Sequence, residues 1–179
     1  LPILYVNQIG GHDQLVYDGA SFAVEPQAGV VYEAARFAED VATLRFDNGR
    51  FLSLAGDAPA PVPAQGLSTM AFYRRQIVLG LQDYARRCGF NRVVVGSSGG
   101  IDSALTLALA AEALGAANVT AITMPSEFSS SGSVDDSETL CRNLGIELLH
   151  HPIQRLVAEF SGGFATAFGQ PLQGIALEN

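Results

Sequence analysis

Lysine is missing altogether. The ten basic residues are all arginine, set against eighteen Asp and Glu for a net charge of −8. A phosphate loop of the Walker kind is thereby excluded, because it needs a Lys to reach the terminal phosphates. The arginines form no stripe: three stand against eight acids in residues 1–66, and seven against ten acids beyond. That distribution argues against nucleic acid as a large-area partner. Cysteine is scarce too. Cys88 and Cys141 lie far apart in helix-like segments, without Cys-x-x-Cys spacing, which reads as two buried thiols in a reducing cytoplasm. His12, His150 and His151 lack metal-ligand spacing, and Asp135-Asp136 reads as helix N-terminal charge rather than a metal pair. No apolar run approaches the roughly 18 residues of a membrane span, and no secretory signal is legible in the first residues, so no membrane partner is expected.

What is present suits a buried core: 48% apolar and 16% charged residues over a length of 179, enough for one ordinary domain or one and a half small ones. The chain opens Leu1-Pro2-Ile3-Leu4 without Met, and the expectation is a piece processed, cleaved or excised from something longer.

Two grammars follow one another. Residues 1–55 read as strands, over Ile3–Gln8, Gln14–Tyr17, Ala20–Glu25 and Val30–Ala35, broken at Gly10-Gly11, Asp18-Gly19 and Gln27-Ala28-Gly29. Asn48-Gly49 between Val41–Phe46 and Arg50–Leu54 predicts a hairpin, since the pair supplies two positive φ angles. Residues 56–68 are Pro- and Gly-rich and read as an extended linker. Residues 69–179 alternate helix and strand. Ile77, Leu81, Tyr84 and Cys88 fall on one helix face ending at Gly89. Then come strand Arg92–Gly96, helix Ile101–Leu114 and strand Val119–Met124. The Ser-rich loop Pro125–Gly132 leads to a helix opened by Ser133, with Asp136 at capping-box spacing. Strand Ile146–His150 and a helix from Ile153, interrupted by Gly162-Gly163, complete a βαβαβα order. The fold class is therefore α/β, a doubly wound parallel sheet after a β-rich segment, with ligands expected at the carboxyl ends of the strands.

The chemistry concentrates at Ser98-Gly99-Gly100-Ile101-Asp102-Ser103, directly after Val93-Val94-Val95-Gly96 and directly before Ala104–Ala110. A buried strand feeds a loop of small residues and then the positive end of a helix. Gly99 and Gly100 let backbone N–H groups close on an anion. Ser98 and Ser103 add hydroxyls, and the Asp102 carboxylate suits a Mg²⁺ shared with phosphate oxygens. The plainer alternative is a Gly-rich turn in which Asp102 only caps the helix.

With these motifs in view, the chain resembles the glutamine-dependent NAD synthetases. Gly96-Ser97-Ser98-Gly99-Gly100-Ile101-Asp102-Ser103 is similar to the pyrophosphatase loop of the ATP-pyrophosphatase superfamily, although Ser97 stands where Leu is more usual. Met124-Pro125-Ser126-Glu127-Phe128-Ser129-Ser130 resembles the Met-Pro-Ser segment of NAD synthetases. Tyr5-Val6-Asn7-Gln8-Ile9-Gly10-Gly11-His12-Asp13, through Tyr17–Phe22, resembles the tail of the nitrilase-type glutaminase domain fused to them. The resemblance implies residues 1–55 as the end of that glutaminase domain and 69–179 as the first part of the synthetase domain. It implies Gly96, Ser97, Ser98, Gly99, Gly100, Ile101, Asp102, Ser103 and Met124 as ATP contacts, with Asp102 on magnesium. Strand ends near Val95 and Met124 would offer backbone groups to adenine. The substrates implied are ATP, deamido-NAD and ammonia or glutamine, in a cytoplasmic homo-oligomer. The glutaminase Glu, Lys and Cys are not here: the chain has no Lys, and no Cys before Cys88. Glu178-Asn179 resembles the start of a Glu-Asn-Leu-Gln-Ala-Arg segment at the dinucleotide site. By itself the chain is expected to turn over little. The loop alone would also suit another ATP-pyrophosphatase amidotransferase or thiolase, or a non-catalytic nucleotide-binding fragment.

Overall fold

A computed structural model describes residues 1–12, 14–53, 66–127 and 129–171. Most of the linker expected at 56–68 and the Glu178-Asn179 pair lie outside the described residues. Packing divides the chain into two units, Leu1–Gly89 and Phe90–Asn179.

The first unit is antiparallel. Strands β1 (Ile3–Tyr5), β4 (Phe22–Glu25) and β5 (Gly29–Glu33) form one sheet in the order β1-β4-β5. Hairpins join β2 (Ile9–His12) to β3 (Leu15–Asp18) and β6 (Leu44–Asp47) to β7 (Arg50–Ser53). The second hairpin turns on Asn48 and Gly49, whose φ angles are 48° and 80°, as the Asn-Gly pair requires. Ala23, Val31 and Phe51 make the core, with Tyr32 and Leu44 packed against it. The buried Glu25 carboxylate ties the sheet to this hairpin by accepting the Phe51 N–H at 2.7 Å.

Three expectations change in this unit. Gly10 and Gly11 do not break a strand but lie inside β2, paired with Tyr17 and Val16. Their smallness serves a close approach: a Cβ on Gly10 would fall 2.3 Å from Asp83 Oδ2. Asp83 belongs to helix α1 (Thr69–Cys88), whose side chain at that point accepts the Gly11 N–H at 2.8 Å and pairs with Arg86 at 2.7 Å. Secondly, the face of α1 that packs on β2 and β3 is not the Ile77–Tyr84 face. Ile77, Tyr84 and Cys88 are exposed, whereas Asp83 and Ala85 are buried and Gln76 Nε2 donates to Val16 O. Polar main-chain contacts at the glycine strand outweigh the apolar stripe in orienting this helix. Thirdly, Cys88 is exposed rather than buried, whereas Cys141 of the second unit is covered as expected; both are free. By packing, α1 is grouped with the strands before it, although by chain order it follows the linker.

The second unit is parallel. Strands β8 (Val93–Gly96), β9 (Val119–Thr123) and β10 (Glu147–His150) lie in the order β10-β9-β8. They are connected through helix α2 (Ile101–Leu114), a 3₁₀ turn (Ala116–Asn118) and helix α3 (Ser131–Leu144), and helix α4 (Gln154–Phe168) follows. The central strand is the most buried, with Val119, Thr120, Ala121 and Thr123 all covered. Leu107 and Ala110 of α2, Cys141 of α3 and Ile146 complete the core. Helix α3 starts earlier than expected. Its N-cap is Ser130, whose Oγ accepts the Ser133 N–H at 3.1 Å, so Ser133 lies inside the first turn rather than capping it. Gly162 and Gly163 stay helical within α4. Among the described residues, no helix is long and apolar enough to cross a membrane.

Candidate functional site

Strand β8 ends at Gly96, and three residues, Ser97, Ser98 and Gly99, carry the chain to Gly100, the N-cap of α2. Gly99 has φ +78°, a left-handed conformation that favours glycine. A Cβ at Gly99 would also stand 2.5 Å from both Cα and O of Ser133. The loop before α2 is thus pressed against the first turn of α3. Two helix N-termini converge on one glycine. Ser133 approaches with its Cα and carbonyl oxygen, its N–H being held by Ser130 Oγ, so the uncapped N–H groups beside Gly99 are those of α2, worth about half a positive charge.

The serines shape the loop from within. Ser103 Oγ donates to Gly100 O at 3.0 Å and accepts the Ser98 N–H at 3.2 Å. Ser98 Oγ stands 3.1 Å from Ser103 Oγ and accepts the Gly100 N–H at 3.3 Å. No side chain caps α2, so its first N–H groups stay open to an anion. Asp102, Ile101 and Ser98 are exposed. The plain capping role for Asp102 does not hold, because Gly100 is the cap and Asp102 sits in the first helical turn.

Two cavities flank this loop. One, of about 280 Å³, lies at the carboxyl ends of β8 and β9 between Gly96, Ser98, Thr123, Met124, Pro125 and Val134. The other, of about 290 Å³, is bounded by Gly99, Gly100, Ile101, Ser103, Asp136 and Leu140. Every expected contact lines one or the other except Asp102, which stands in the adjoining helical turn. Among the described residues, neither cavity is lined by Arg.

The Ser-rich segment is held in place rather than left loose. Glu127 N–H donates to Gln154 Oε1 at 2.7 Å, and Ile153 N–H to Pro125 O at 3.1 Å. Ser97 differs from its neighbours. It is buried, and its hydroxyl donates to Ser137 Oγ at 2.8 Å. Ser133 and Ser137 were not legible as site residues, yet a signal existed: Val134, Ser137 and Cys141 share the inward face of α3, and Ser137 is the polar member.

Among the described residues, no three His, Cys, Asp or Glu side chains cluster as a metal cage.

A parallel sheet with a glycine loop at its carboxyl edge defines an α/β protein; among the described residues the strand order β10-β9-β8 runs without reversal, so the expected doubly wound arrangement is not seen in this segment. The comparison with protein families is more specific: the NAD synthase model matches residues 73–179, and the chain belongs to that family. The glutamine-dependent NAD(+) synthetase of Synechocystis is 40% identical over 179 residues, covering 100% of this chain and 31% of that protein. Its counterpart in Rhodobacter capsulatus is 41% identical over 182 residues, covering 100% and 32%. The chain therefore spans about a third of the length of the curated relatives it matches. Among solved structures, the Acinetobacter baumannii glutamine-dependent NAD+ synthetase, in complex with ADP, superposes with a TM-score of 0.86 at 36% identity, covering 99% of this chain and 33% of that one.

Proposed function

We propose that this chain is part of a ligase that converts deamido-NAD to NAD at the cost of ATP, and that the loop Gly96–Ser103 holds the pyrophosphate of the nucleotide. The observation that carries this reading is the meeting of two helix N-termini at Gly99. The family resemblance supplies the reaction. The nicotinate carboxylate oxygen attacks the α-phosphorus of ATP, pyrophosphate leaves, and an acyl-adenylate forms. Ammonia then attacks the acyl carbon and AMP leaves with the bonding pair.

Such a leaving group needs charge stabilisation where negative charge develops. Open N–H groups of α2, with the hydroxyls of Ser98 and Ser103 fixing the loop's shape, supply it without reorganisation. A bound magnesium ion would neutralise phosphate charge, and Asp102 would hold it. Met124 and Pro125 border the first cavity, where an adenine would rest against apolar atoms. Residues 1–55 are read as the end of a nitrilase-like glutaminase domain and 69–179 as the beginning of the synthetase domain. Cytoplasmic location and homo-oligomeric assembly belong to the same reading. The adenine nucleotide reading is consistent with the ADP in the Acinetobacter relative.

The direct test is titration calorimetry of Mg-ATP into the 179-residue chain, compared with Asp102→Ala. Binding weakened in the variant, with circular dichroism unchanged, is expected; equal affinity removes Asp102 from the metal role. In a longer protein that contains this segment, Asp102→Ala should slow NAD formation from deamido-NAD by about a hundredfold or more. Amidation of xanthylate or aspartate instead of deamido-NAD would assign a different acceptor.

A further inference from the structure

Ser97 occupies the point where the loop leaves the sheet. Its N–H donates to Ile122 O at 2.8 Å, extending the pairing between β8 and β9 by one residue. Its side chain is only 4% exposed as a residue and donates to Ser137 Oγ, which has 0% exposure, at 2.8 Å. Ser137 in turn donates to Ser133 O at 2.9 Å. A hydroxyl carries one proton. The Ser137 proton is committed to Ser133, so Ser137 Oγ serves Ser97 as acceptor, and the Ser97 proton is directed at α3. Ser133 is also the residue whose main chain rests on Gly99. The contacts form a closed circuit from sheet to Ser97, to Ser137, to Ser133, to Gly99 and back along the loop.

We propose that Ser97 and Ser137 form a buried hydroxyl latch that fixes the spacing between the N-termini of α2 and α3, and through it the affinity of the loop for nucleotide. The inference rests on the nucleotide reading given above. Ser97 and Ser137 are positioning residues; neither donates its hydroxyl to the ligand. The two partners are unequal. Removing the Ser137 hydroxyl leaves that of Ser97 buried without an acceptor, whereas removing the Ser97 hydroxyl leaves Ser137 still bonded to Ser133. Stranding a buried donor costs more than deleting a satisfied pair.

The test is titration of Mg-ADP into the full 179-residue chain and into Ser97→Ala, Ser137→Ala and the double variant, reading dissociation constant and stoichiometry separately. A fold defect lowers the stoichiometry; a mis-set loop raises the dissociation constant of molecules that still bind one for one. With stoichiometry kept, Ser97→Ala should weaken binding about fivefold and Ser137→Ala about tenfold or more. The double variant should match Ser97→Ala rather than the product of the two losses. Equal dissociation constants in all four proteins, or losses that multiply, overturn the latch. If the wild-type chain binds no Mg-ADP, the nucleotide reading fails, and amide exchange then judges the latch alone. Faster exchange at Gly99 and Gly100 in Ser137→Ala upholds it, and unchanged exchange overturns it.

Discussion

Gly99 and Gly100 are adjacent in sequence and chemically identical, yet alanine should be tolerated at one and rejected at the other. At Gly100 the backbone has φ −86°, and an added Cβ would meet nothing closer than Ser98 Oγ at 3.4 Å. At Gly99 the φ of +78° disfavours any L side chain, and the Cβ would stand 2.5 Å from Ser133 Cα and O, where ordinary contact begins at 3.4 Å. The left-handed backbone costs about 1–2 kcal/mol. Relieving the overlap requires the loop or the first turn of α3 to shift, a further cost of about 1–3 kcal/mol for an overpacked site. Gly99→Ala should therefore lose about 2–5 kcal/mol, and Gly100→Ala less than about 1 kcal/mol. Urea unfolding followed by far-ultraviolet circular dichroism measures both, with the slope m unchanged if only the native state suffers. The same shift should abolish Mg-ADP binding in Gly99→Ala. Equal stability of the two variants would refute the close approach of α3 to the loop, and with it the argument for convergent helix ends.

Two other outcomes follow from burial. Asp83→Ala leaves the Gly11 N–H without its carboxylate acceptor and should cost about 1–3 kcal/mol, whereas Asp83→Asn keeps an acceptor and should cost less; tyrosine fluorescence follows this, since all five tyrosines lie in Leu1–Gly89. A small thiol reagent should label exposed Cys88 in the native chain and buried Cys141 only on unfolding. Burial also raises the pKa of the Cys141 thiol above its ordinary 9.0. Its contribution to stability is thus full below pH 9.0 and is lost as pH rises through the folded value, which unfolding curves taken across that range in Cys141→Ala and wild type would reveal.

The parts of the fold that were legible are those set by local chemistry. The Asn48-Gly49 turn, the strands β8, β9 and β10 and the bounds of α2 are dictated by φ preference, β-branching and glycine stops within a few residues. What escaped was decided at a distance. Gly10-Gly11 looked like a break because sequence cannot show Asp83 coming up beneath it. The orientation of α1 followed the hydrogen bonds of Asp83 and Gln76 rather than the Ile77–Tyr84 stripe. At the site, the loop residues were legible as a motif, since strand, glycines and helix are contiguous. Ser133 and Ser137 were not, because their role depends on a helix more than thirty residues downstream folding back against Gly99.

The lack of arginine around the two cavities, among the described residues, has a consequence for regulation. In the proposed site, the attraction for an anion rests on peptide N–H groups at the start of α2, which no side chain caps. A peptide dipole has no proton to lose in the physiological range, offers no amine to acetylate and cannot be deleted by replacing one side chain. Its direction can only be altered by moving the helix that bears it. Affinity in such a site is therefore governed by geometry, and the route to tuning it, whether by substitution or by a second ligand, is displacement of α3 relative to the loop.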